Sequence, residues 1–393
     1  MKKIFKYVLY STVAIAVVAC GDLYETHEKY LSEGEETYIG MPDTLIAHGG
    51  YKRVELKWKL NADSRISKSV ITWNGCTNPV EVPVDRSKEF MSTILTLDEG
   101  KYNFQLVNVS ETMKESLPQI VSGEVYGDTY QARLPQRGVN SMSADPAGVI
   151  INWATEEGCI ETVVTYTNKD GQKKTVTVGE DESTTLIPDF VLGSKFFVAS
   201  KFKPEEYAID NVTSLEGSVS FPSYYIVSKE NWDNIYHKNY VDVDRTGWMV
   251  EASTEEMTGE VSAAKPHNGQ AVSMIDGDLS TFWHSQWNGE GKNPPLPHII
   301  TMDMQQIQDI ISVELVRRAG NADTKTVAFS ISNDKENWIE LGQLDFPNST
   351  APNAMVLLLG EPVSGRYFRT MVTASNNSVN ASIGEIMFTS GRQ

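Results

Sequence analysis

The sequence predicts an all-β chain of three consecutive β-sandwiches, and three observations carry that expectation. Short apolar–polar alternations separated by turn residues run through the chain from about Tyr38 onward. One set of features recurs at a nearly constant interval. Beyond about residue 240 the interval ends and a different series of motifs begins.

The clearest alternation is Val54-Glu55-Leu56-Lys57-Trp58-Lys59-Leu60, which places Val54, Leu56, Trp58 and Leu60 on one face and three charges on the other. A side-chain period of two with one apolar face marks a half-buried antiparallel strand. The recurrence pairs Trp58 with Trp153, Tyr102 with Phe196, Phe104 with Val198, Gly123 with Gly217 and Val125 with Val219, at offsets of 95, 94, 94, 94 and 94. About 100 residues is the size of one immunoglobulin- or fibronectin-type sandwich. Residues 39–134 and 135–222 are therefore expected to be two tandem copies, with Trp58, Trp73 and Trp153 in their cores.

The chain opens with Met1-Lys2-Lys3-Ile4-Phe5-Lys6, followed by the apolar run Val13–Ala19 and then Cys20-Gly21. A charged start and a short apolar run form an export signal. The run falls short of the about 20 residues that span a bilayer. A small residue before a cysteine, with glycine after it, resembles the lipobox of bacterial lipoproteins. That resemblance implies removal of residues 1–19, acylation of Cys20, a linker over residues 20–38, and a place at the outer membrane with the chain exposed at the cell surface. Acyl chains contribute about 0.8 kcal/mol per buried CH₂, so the expected membrane contact is this anchor.

Three of the 34 lysines and arginines leave with the signal, and the remainder face 52 acidic residues. Such a balance repels phosphate backbones, which excludes nucleic acid as a partner. Cys76 and Cys159 fall in separate expected modules with no metal-type spacing, and read as free thiols.

Leu97-x-x-Gly100-x-Tyr102-x-Phe104 resembles the tyrosine-bearing strand of fibronectin type III domains. Gly50-Tyr51-Lys52-Arg53-Val54, Ile71-Thr72-Trp73-Asn74 and Val125-Tyr126-Gly127-Asp128-x-Tyr130 are similar to tandem modules in outer-membrane lipoproteins of glycan-using bacteria. Residues 223–239, with Tyr224, Tyr225, Trp232, Tyr236 and His237, read as an aromatic connector that docks onto a neighbouring module.

From about Tyr240 the motifs are Trp248–Glu256, Ala271–Trp287, Pro297–Met304, Phe329–Asp334 with Trp338, Gly365–Arg369 and Ser382–Ile386. In this order they resemble the discoidin family, also called the coagulation-factor 5/8 C-type domain, over residues 240–393. The resemblance implies an eight-stranded jelly roll whose loops at one end bind ligands. The full expectation is thus two immunoglobulin/fibronectin-like sandwiches followed by a discoidin-type jelly roll.

Asp276-Gly277-Asp278-Leu279-Ser280-Thr281 gathers two carboxylates and two hydroxyls on a tight turn. Two readings of it stand: a capped surface turn, or hard oxygens that suit Ca²⁺. The EF-hand is excluded because the twelfth position from Asp276 is Trp287. The discoidin resemblance implies a structural Ca²⁺ held by the Asp276 and Thr281 side chains, main-chain oxygens of Ser273 and Asp278, and Glu385, with the Gly384 carbonyl beside it.

A sugar requires a flat aromatic surface for its C–H face and directional donors and acceptors for its hydroxyls. Members that act as family 32 carbohydrate-binding modules use a histidine, an aromatic and an Arg–Asn pair, which His284, Trp287, Arg318 and Asn321 match in kind. The short Arg318-to-Asn321 spacing and the late loop Thr373–Ser378, which has no aromatic, depart from the galactose-binding pattern. The function implied is a non-catalytic surface lipoprotein that holds a glycan, working beside other glycan-uptake proteins. An adhesive, protein-binding component of a surface complex is the alternative. A glycosidase would need two carboxylates across a sugar site, and Asp276 and Glu385 are expected to be taken up by calcium.

Overall fold

The computed structural model describes residues 38–391, so the signal segment, Cys20 and the linker up to residue 37 lie outside the described residues. Contacts divide the chain into two units: residues up to Arg133 together with Lys203–Val212, and Leu134–Phe202 together with the segment from Thr213 onward.

In the first unit seven strands, β1 (Thr44–Gly50), β2 (Arg53–Lys59), β3 (Ile66–Trp73), β4 (Val80–Pro83), β5 (Phe90–Thr96), β6 (Gly100–Ser110) and β7 (Gln119–Val125), precede a short helix α1 (Asp128–Arg133). They make two sheets of order β1-β2-β5 and β4-β3-β6-β7. The alternation of β2 buries Val54, Leu56 and Trp58 completely, facing Ile71, Phe104 and Leu106 of the other sheet. Gly123 permits close sheet packing, because a Cβ there would lie 2.8 Å from the Ala47 methyl and 3.2 Å from the Phe104 ring. The segment Lys203–Val212 seals the β1–β2 turn. Asp210 Oδ2 accepts from Tyr51 N–H at 2.9 Å and Arg53 Nε at 2.8 Å, and Glu205 Oε1 accepts from Gly49 N–H at 2.8 Å.

The second unit starts with the repeat: β8 (Val139–Asp145), β9 (Gly148–Trp153), β10 (Cys159–Thr167), β11 (Lys173–Gly179), β12 (Thr184–Ile187), β13 (Lys195–Phe202), β14 (Val212–Thr213) and β15 (Gly217–Ser220). Its sheets run β12-β9-β8 and β11-β10-β13-β14, with β15 on β13. Trp153, Val198 and Phe196 occupy its core as Trp58 and Phe104 do in the first copy. The two tryptophans differ in one respect. Trp153 Nε1 donates to Thr185 Oγ1 at 2.9 Å, whereas Trp58 Nε1 is buried without a partner. Cys76 and Cys159 are free thiols.

The jelly roll follows as β16 (Tyr224–Ser228), β17 (Tyr240–Asp242), β18 (Met249–Ala252), β19 (Trp283–His284), β20 (His298–Arg317), β21 (Thr324–Ser332), β22 (Trp338–Asp345), β23 (Ala354–Ser375) and β24 (Ser382–Gly391). The long strands β20 and β23 break register between Asp303 and Gln308 and between Ile310 and Ser312, so each serves both layers. The first half of β20 pairs with β18 and its second half with β24. The chain is therefore all-β, two fibronectin-like sandwiches and a jelly roll.

The aromatic connector is part of the third module. Tyr224–Ser228 pairs with β23, and Trp232 is buried and stacked on Tyr240 at 5.4 Å. Tyr225 also meets Phe190 of the preceding sandwich edge-on at 6.0 Å. Burying these rings stabilises the junction by removing apolar area from water.

Candidate functional site

The loops after β18, before β19, after β20 and after β23 meet at one end of the jelly roll. Glu256 ties the loop after β18 to the stretch that follows β19. Its Oε1 accepts from Thr258 and Gly259 N–H at 3.0 and 2.7 Å, and its Oε2 from Trp287 and Asn288 N–H at 3.0 and 2.8 Å. Burial pushes this carboxyl up, but the four N–H donors outweigh burial and hold it at about 2. Gly259 is needed because a Cβ there would lie 2.5 Å from the Trp287 ring.

Trp287 is 38% exposed and presents its indole at the surface. Its Nε1 donates to Glu260 Oε1 at 3.2 Å, and Arg318 Nη1 reaches the same oxygen at 3.2 Å. Arg318 in turn lies 3.8 Å from the centre of the Phe282 ring, a cation–π contact that supports the guanidinium from one face. Trp287 and Arg318, predicted from sequence, are thus brought together by Glu260 and Phe282, which were not. Asn321 follows Arg318 through a turn closed by Asn321 N–H to Arg318 O at 3.1 Å. Its amide is engaged by Asp323: Oδ1 accepts from Asp323 N–H at 2.7 Å, and Nδ2 donates to Asp323 Oδ2 at 2.9 Å.

His284 departs from the expectation of a rim contact. It is 5% exposed because it lies in β19, paired with Ser382 of β24. Its Nδ1 stands 2.6 Å from Ser285 O, and since a carbonyl only accepts, Nδ1 is the donor. Trp283 beside it is fully buried, with Nε1 donating to Thr254 O at 2.9 Å.

The aspartate turn is compact. Thr281 Oγ1 is 2.8 Å from both Asp276 Oδ2 and Asp278 O, and 3.5 Å from Ser273 O. Asp276 Oδ1 also caps the turn by accepting from Asp278 N–H at 2.8 Å. Glu385 reaches the turn, its Oε2 accepting from Gly277 N–H at 3.2 Å. The calcium expected here fits this donor set poorly. Glu385 Oε1 is taken by the Arg245 guanidinium, whose Nη1 also donates to Ile386 O at 2.5 Å. Without Glu385 the expected set comes down to the Asp276 and Thr281 side chains and the Ser273, Asp278 and Gly384 carbonyls, below the about six oxygens that Ca²⁺ takes. Gly384 is the extra residue of a β-bulge opposite Val316 and Arg317, and a Cβ on it would come 3.1 Å from Arg317 O. Burial pushes the Glu385 carboxyl up to about 7, against the pull of Arg245.

Residues 250–386 match the model of the F5/8 type C domain. The C-terminal module is an F5/8 type C domain. Residues 20–212, covering most of both fibronectin-like copies, match the family described as a domain of unknown function, DUF4998. A stretch of 64 residues is 33% identical to a sialidase of Micromonospora viridifaciens and covers 16% of this chain. The chain spans about a tenth of the length of that relative, the match covering 10% of it. The C-terminal domain of a chitobiase from Bacteroides fragilis is similar at 30% identity, with 39% of this chain and 100% of that one covered and a TM-score of 0.33. A family 32 CBM from C. perfringens, solved in complex with galactose, is similar at 17% identity, covering 38% of this chain and 98% of that one, with a TM-score of 0.32. A Clostridium perfringens module in complex with GalNAc-β-1,3-galactose gives 18% identity, 38% and 100% coverage and a TM-score of 0.33.

Proposed function

We propose that this protein is a non-catalytic surface lipoprotein whose F5/8 type C domain holds a neutral glycan on the rim formed by Trp287, Arg318 and Glu260. The observation that carries the reading is the half-exposed Trp287 indole beside a guanidinium and a carboxylate that share one contact. The ring face takes the C–H face of a sugar, and Arg318 and Glu260 supply a donor and an acceptor for adjacent hydroxyls. Arg318 and Glu260 cancel in charge, which favours hydroxyls over carboxylate or sulfate groups. His284 is buried in β19, and Asn321 serves chiefly to shape the Arg318 turn.

In this reading Cys20 carries the lipid anchor, the fibronectin-like copies act as spacers, and many copies on one surface raise a modest affinity by avidity. The protein works beside glycan-uptake components and turns nothing over. The test is calorimetric titration of the purified chain with a panel of neutral mono- and oligosaccharides, galactose among them. Binding should occur at micromolar to millimolar ligand, and Trp287→Ala should weaken it by at least about tenfold, the loss of one stacking surface. Silence of the wild-type chain toward the whole panel at millimolar ligand would sink the reading, as would hydrolysis of any of these glycans.

A further inference from the structure

Arg245 lies outside every motif that predicts a ligand site, yet its guanidinium occupies the position at Glu385 where a divalent cation was expected. We propose that Arg245 is the resident cation of this site, latching the first strands of the jelly roll to its last one, so that the domain needs no calcium.

Glu385 is 1% exposed and joins three segments far apart in the chain. Its own strand β24 is one. The Asp276 turn is the second, through Gly277 N–H, and the stretch before Trp248 is the third, through Arg245. Both of its oxygens already accept from donors of this chain. Arg245 also donates to the carbonyl of Ile386, so one side chain grips both the carboxylate and the backbone of β24.

A buried carboxylate needs a paired charge to stay ionised, and a guanidinium supplies that charge together with directed N–H groups. A calcium ion bound by Glu385 would meet the positive charge of Arg245 at contact distance. The two cations are therefore alternatives at this carboxylate. Arg245 lies on the covalent chain, so its effective concentration at the site exceeds that of a free ion. The segment holding it, Val243–Gly247, lines a cavity of about 470 Å³ shared with Val272, Ile275, Asp276 and Gly277. That space admits movement of the arginine once its partner is removed.

The test measures calcium binding and thermal unfolding of the full chain. Calorimetry with CaCl₂ alone should show no binding to the wild type at up to millimolar calcium, and EDTA should leave its melting temperature unchanged. Arg245→Gln should lower the melting temperature of the second unit by about 5–10 °C, as expected for a buried charge stripped of its partner. Arg245→Lys, which keeps a positive charge, should restore part of that loss. Where Arg245→Gln is too unstable to purify, Arg245→Lys and Glu385→Gln are compared singly and together, and the combined loss should fall well short of the sum. One equivalent of calcium bound by the wild type and abolished in Glu385→Gln would overturn the proposal. Additive losses, or an Arg245→Gln chain as stable as the wild type, would overturn it too.

Discussion

Glu256 shows how much of the rim depends on one carboxylate with no surface of its own. Its ionised form accepts four backbone N–H groups and sits at about 2, below the 4.5 of an unperturbed glutamate. A depressed acid stabilises the fold above its unfolded value, and that contribution is lost as pH falls through the folded one. Glu256→Gln should therefore cost about 1.5–3 kcal/mol at neutral pH, the range for hydrogen bonds to a charged group. The gap between variant and wild type in urea unfolding should close between about pH 4.5 and 2; a gap constant across that range would contradict the assignment. Trp287 and Arg318 could be singled out in the sequence because the discoidin resemblance and residue types that suit a sugar both point to them. Glu256, Glu260 and Arg245 were not, because their partners lie 31, 58 and 140 residues away and leave no local pattern. His284 misled for a related reason. Its chemistry suits binding, but a two-residue strand against β24 turned it inward.

At the scale of single elements, the repeat supplies its own control. The paired tryptophans of β2 and β9 occupy equivalent core positions, but only Trp153 has a partner for its indole N–H. Replacing Trp153 by Phe removes its hydrogen bond to the half-buried Thr185 hydroxyl, whereas the same change at Trp58 removes a donor that was already unsatisfied. Trp153→Phe should thus destabilise by about 1 kcal/mol more than Trp58→Phe, measured by chemical denaturation; equal losses would show that packing alone sets both. The seal on the β1–β2 turn gives a second comparison. Asp210→Asn discards the paired charge on Arg53, so the segment Lys203–Val212 should be cut faster by protease while the sheets stay intact. The strands and the repeat were readable because a period of two and a fixed interval survive in the sequence. The strand β16 was not, since Tyr224-Tyr225-Ile226-Val227 is apolar throughout and its ladder partner β23 comes more than a hundred residues later.

Over the whole molecule the dominant quantity is a net charge of −18, spread across a chain whose proposed contact site is locally neutral. Such a field repels sulfated and other polyanionic glycans at long range and leaves uncharged ones unaffected. Salt screens the field over about 10 Å at 0.1 M, so the two ligand classes should respond differently to it. Affinity for a neutral oligosaccharide should change by less than about twofold between 50 and 500 mM NaCl, because stacking and hydrogen bonds to a charge-balanced pair carry it. A heparin-type column should retain nothing at low salt. Retention there, released by added salt, would mean that a local basic surface overrides the global field, and the choice of neutral sugars over acidic ones would then be wrong.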